Sequence, residues 1–80
     1  MSCCSIQTLK LIAKEVARDQ RDDLEVTAVL PGEARGSYAE VLLTCHPPGA
    51  DATHLLIGVA RDMSETAIRQ RFAASLRAAL

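Results

Sequence analysis

Large aromatic side chains are almost missing from this sequence: it has no tryptophan, and Tyr38 and Phe72 are its lone tyrosine and phenylalanine. A core must therefore be assembled from leucine, isoleucine and valine. Cysteine is scarce too, with three in eighty residues. An odd number argues against a closed disulfide framework, and adjacent Cys3 and Cys4 would form only a strained bond, so free thiols are expected. No run approaches the ~20 apolar residues that a membrane span requires. The opening Met1–Ser5 lacks the basic and apolar regions of a secretion signal, so a cytoplasmic location is the default expectation. A net charge of −1 gives no overall attraction to nucleic acid or to an anionic membrane.

What is present is an ordinary globular composition, 49% hydrophobic, in a chain long enough for one domain over residues 1–80, with 1–4 read as a flexible tail. Ile6, Leu9, Ile12, Ala13, Val16 and Ala17 recur in steps of three and four, which predicts a helix over 6–20 with Ser5 as its N-cap. Residues 24–30 alternate and predict a strand with Leu24, Val26, Ala28 and Leu30 facing the core and Glu25, Thr27 and Val29 facing away. Pro31–Gly36 reads as a turn. A second strand, 37–46, puts Ala39, Val41, Leu43 and Cys45 on one face and Tyr38, Glu40, Leu42, Thr44 and His46 on the other. Consecutive prolines at 47 and 48 end it. A third strand, 53–61, points Leu55, Ile57 and Val59 inward. After Asp62, with Ser64 as N-cap and Met63 placed to staple it, a second helix carries Ile68, Phe72, Ser75, Leu76 and Ala79 on its inner stripe.

The expected fold class is α+β: a two-layer αβββα sandwich, a three-stranded antiparallel meander with both helices on one sheet face. The other face is left bare. If His46 sits opposite His54, that face carries Tyr38, Leu42, Leu56, Ala60 and Val29 among Thr27, Glu40, Thr44 and the two histidines. An apolar patch of this kind marks an interface, and the economical occupant is a second copy, since a small core gains from added burial. The interface set is Tyr38, Leu42, Thr44, His46, His54 and Leu56, either through the face or through an unpaired strand edge. A cross-strand histidine pair there would make assembly pH-sensitive.

Catalysis and metal binding find little support. Cys45 and His46 are neighbours on a strand and point to opposite faces, so they form neither a nucleophile–base couple nor a shared metal site. Two histidines fall short of a zinc ligand set. No catalytic residue, cofactor or metal is expected, and an enzyme or metal-binding accessory is the least favoured function.

Charge is unevenly spread: about +2 over residues 5–21, about +2 over 64–80 and about −5 between them. Lys10, Lys14, Arg18 and Arg21 form a basic stripe on the first helix, a candidate contact for an anionic partner. The αβββα order and the alanine-rich Phe72–Leu80 segment resemble the double-stranded-RNA-binding domain, which implies RNA contact through helix one, the first hairpin loop and a lysine cluster opening helix two. Of these three surfaces helix one alone is basic: Pro31–Gly36 lacks the family's histidine, and Asp62–Ala67 is acidic where lysines would stand. RNA binding is the runner-up to a protein-interaction module.

Overall fold

A computed structural model describes residues 5–79; Cys3, Cys4 and the expected tail lie outside the described residues. Helix α1 spans Ile6–Gln20, strands β1, β2 and β3 span Glu25–Arg35, Tyr38–His46 and Thr53–Ala60, and helix α2 spans Glu65–Ala79. The expected αβββα order and α+β class are therefore observed.

Each helix starts where its sequence provides a cap. The Thr8 amide donates to Ser5 Oγ at 3.3 Å, and the Ala67 amide donates to Ser64 Oγ at 3.1 Å. At the other end of α1 the backbone turns extended at Arg21, whose N–H still donates to the Ala17 carbonyl. Met63 packs against the core beside the start of α2.

The strands form an antiparallel meander in the order β1-β2-β3. α1 lies against β1, α2 against β3, and the helices touch each other, so both cover one sheet face. Between the layers sit Phe72, Ile12, Leu43, Ile57, Ile68 and Leu76, each almost wholly removed from solvent. No polar or charged side chain is buried among the described residues. The i, i+4 stripe Ile68–Phe72–Leu76 is narrower than expected, leaving Ser75 half-buried and Ala79 exposed.

Three features of the sheet differ from expectation. First, Val26 pairs with Cys45 but Ala28 pairs with Thr44, so Thr27 is an extra residue in β1. This bulge reverses the alternation beyond it. Val29 turns into the core at 2% exposure, while Leu30 turns out at 52%. Second, Pro31–Gly36 is not a turn. β1 continues to Arg35 through a second irregularity after Pro31, and Gly36–Ser37 alone connects it to β2. An edge strand tolerates a proline that central strands reject. Gly36, at φ 57°, takes the first position of this two-residue loop, where type II′ hairpins require glycine. Third, β3 sits two residues from the expected register: Thr44 pairs with His54, and Leu42 with Leu56. A slip of two preserves the faces but changes every neighbour.

Residues 30–38 are all exposed, so the β1–β2 hairpin projects past the helical layer as an arm. The molecule is accordingly elongated, 39 × 22 × 21 Å.

Candidate functional interface on the open sheet face

The bulge and the register together create an arrangement that neither produces alone. Leu30 pairs with Leu42, and Leu42 pairs with Leu56. The three leucines form one row across all three strands, on the face away from the helices. Leu30 is 52% exposed, Leu56 62%, and Leu42 between them is half-buried. Exposed leucines scattered singly need no explanation, as with Leu11 on the outside of α1. A contiguous row does, because its members share one desolvation event when covered.

On one side of the row, Ala28 and Thr44 pair, and Thr44 pairs with His54. Thr44 Oγ1 and His54 Nδ1 are hydrogen-bonded at 3.0 Å. Farther out, Glu25 pairs with His46. The expected His46–His54 pair is therefore absent: the two rings belong to different rows, and the expectation of a pH-sensitive histidine pair loses its basis. On the other side, Glu40 pairs with Gly58, and beyond them Tyr38 pairs with Arg35 and Ala60. The tyrosine lies diagonally over Gly58, its hydroxyl end occupying the space a β-carbon there would take. Gly58 thus lets a large ring lie flat, at 49% exposure, and extend the apolar surface toward the arm.

All six expected interface residues, Tyr38, Leu42, Thr44, His46, His54 and Leu56, belong to this face. Val29 does not; the bulge places it in the core, and Leu30 takes the outward role. Sequence reading missed Leu30 because Thr27 carries no signature of a bulge. Glu25 and Arg35, on β1 at opposite ends of the same face, are likewise charged positions that strand alternation does not mark as interface residues.

Within the basic stripe, Arg21 is already occupied: its guanidinium donates to both carboxylate oxygens of Asp23, at 3.1 and 3.2 Å. Lys10, Lys14 and Arg18 have no carboxylate partner among the described residues. At the opening of α2, Glu65 and Glu15 from α1 both engage Arg69, at 3.1 and 2.6 Å. The hydrogen bond that Arg69 donates to Glu15, then the one it donates to Glu65, raise the Arg69 pKa further, and this cation ties the two helices together. Cys45 and His46 do point to opposite faces, the thiol buried and the imidazole exposed. Among the described residues, no three of His, Cys, Asp and Glu gather as metal ligands, and no helix is long and apolar enough to cross a membrane.

Burial pushes the Cys45 thiol pKa up, partly offset by a backbone hydrogen bond. A raised pKa and no solvent access together suppress the reactive thiolate. Iodoacetamide at pH 8 is therefore expected to leave Cys45 unmodified in the folded protein and to modify it in denaturant, read by peptide mass mapping. Rapid native labelling at Cys45 would place that strand face outside the core.

In class, the molecule is a small two-layer α+β sandwich with an open, partly apolar sheet face. No protein-family model, curated protein or solved structure matches it.

Proposed function

We propose that this protein is a self-associating interaction module that stacks its open sheet face on that of a second copy. The observation that carries the reading is the row Leu30–Leu42–Leu56, backed by Tyr38. Removing a leucine side chain from water contributes about 1.5–3 kcal/mol. The face is about 14 Å across three strands and about 30 Å long. Two such faces bury on the order of 1,000 Å2 once side-chain relief is included, near the lower limit for a specific interface. Micromolar affinity is the scale to expect once association entropy is offset.

Charge supports a second copy as the occupant and selects one orientation. A twofold axis along the leucine row brings like strands together and exchanges strand ends. Leu42 then meets Leu42, Thr44 lies over the second copy's Glu40, and His54 lies over its Gly58. Glu25 comes over the second copy's Arg35, which is carried on the projecting arm. An axis along β2 instead sets Glu40 against Glu40 and His46 against His46, a repulsive pairing for the carboxylates. Edge pairing of two β1 strands is disfavoured for a similar reason, since it sets two α1 stripes of Lys10, Lys14 and Arg18 abreast.

The test is sedimentation velocity over a concentration series. Wild type is expected to pass from monomer to dimer in the micromolar range. Glu25→Arg and Arg35→Glu are each expected to weaken the dimer about three- to tenfold, as exposed pairs do, and the double reversal to restore it. Single variants that dimerise like wild type would rule out this orientation; a wild type monomeric at about 1 mM would rule out self-association.

Among the other readings, RNA binding is opposed by specific features. Arg21 is held by Asp23, and Glu65 lies at the start of α2. Two of the three surfaces that RNA contact would use are thus partly neutralised or acidic.

A further inference from the structure

The unpaired side of β1 has a second surface, which borders the open face at Ala28 and Glu25. A groove of about 100 Å3 is bounded by Lys10 and Lys14 on α1 and by Val26, Thr27, Ala28 and Val29 on β1. Successive strand residues point to opposite faces, so a groove touching four in a row runs along the strand's edge. β1 has β2 as its one neighbour in the sheet. The groove therefore adjoins main-chain donors and acceptors that no strand pairs with. A larger groove of about 460 Å3 shares Lys14 and Val26 with the first and continues past Arg18 to Asp22, Asp23 and Glu25. Along one trough the wall changes from cationic to mixed.

From this trough we infer that the β1 edge binds an extended segment of another protein by strand addition, with acidic side chains of that segment facing Lys10 and Lys14. Strand addition provides main-chain hydrogen bonds, and flanking side chains provide selectivity. The two lysines, with no carboxylate partner among the described residues, supply the charge that selects. The carboxylates of Asp22, Asp23 and Glu25 set the polarity, because a segment acidic throughout is repelled at that end. The favoured ligand is acidic in one half and neutral or basic in the other. The missing N–H of Pro31 ends the paired stretch, about Val26–Leu30, and the bulge at Thr27 lies within it.

The chain's own edges do not match this ligand. β3 carries no aspartate or glutamate between Thr53 and Ala60, and β1 against β1 juxtaposes the basic stripes. Duplex RNA does not match it either: the trough is one strand wide, and its larger half is lined by three carboxylates.

The experiment is an amide-shift titration of the labelled full chain at low salt with a capped seven-residue peptide: Glu and Val alternating in its first half, Thr and Lys in its second. Shift changes and slowed amide exchange are expected at Val26–Leu30, with side-chain changes at Lys10 and Lys14. Lys10→Glu with Lys14→Glu is expected to weaken binding about tenfold or more, and salt to weaken it further. The same peptide N-methylated at alternate residues keeps its charges but loses half its main-chain donors, and is expected not to bind. Silence at Val26–Leu30 with peptide at about 1 mM overturns the inference. So does equal binding of the N-methylated peptide, which indicates charge attraction alone, or tighter binding of a duplex RNA to the same residues.

Discussion

Leu56→Glu is expected to give a folded monomer at concentrations where wild type is dimeric. Leu56 is 62% exposed and lies outside the core between the layers, so the monomer loses little by the change; surface substitutions of this kind stay within about 0.5 kcal/mol. In the stacked dimer the same carboxylate is desolvated against leucines from both copies, without a cation opposite. An unpaired buried charge costs several kcal/mol, and twofold symmetry applies that cost twice. Association should therefore weaken by about a thousandfold or more, beyond detection at micromolar protein. Leu42→Glu should behave similarly, although its half-buried position on the central strand makes some loss of monomer stability part of the expected result. Circular dichroism beside sedimentation separates the cases. If Leu56→Glu unfolds, the helices cover the wrong face; if it still dimerises, the leucine row is not the contact.

The second large effect belongs to the core. Phe72→Ala removes the sole phenylalanine, fully buried where α2 meets the sheet. Truncations of this kind cost about 3–5 kcal/mol from lost transfer energy and the cavity left behind. A chain of this size has roughly 4–12 kcal/mol in total. With a urea slope near 1 kcal/mol per molar, the midpoint should fall by about 3 M or more, leaving part of the population unfolded without denaturant. Dimerisation would make the wild-type midpoint rise with protein concentration. A loss below about 1 kcal/mol would show that the layers pack less closely than Phe72 indicates.

How far the residues reveal this fold differs by element. α1 is legible because its apolar steps, Ser5 cap and charged end all agree. β2 is legible because Val41, Leu43 and Cys45 alternate without interruption. β1 is not, since one inserted residue exchanges the two faces, and nothing about Thr27 distinguishes a bulge from an ordinary strand position. The length of β1 was hidden by Pro31 and Gly32, which read as a turn unless the strand is known to be an edge. The two-residue slip of β3 arises because a Pro-Pro loop ends a strand without prescribing how far the chain travels before pairing again. Tyr38, Leu42 and Leu56 could thus be placed on the open face from alternation alone. Their union with Leu30 into one row requires both the bulge and the register, which are properties of pairing rather than of local sequence.

The self-associating face is tested most directly by isotope-filtered nuclear Overhauser spectra on a mixed sample of labelled and unlabelled protein, where cross-peaks arise solely between copies. The account predicts intermolecular contacts among the methyl groups of Leu30, Leu42 and Leu56 and from the Tyr38 ring, with Leu42 meeting Leu42. Intermolecular contacts confined to the helices or to the unpaired outer sides of β1 and β3, or none at concentrations near 1 mM, would contradict it.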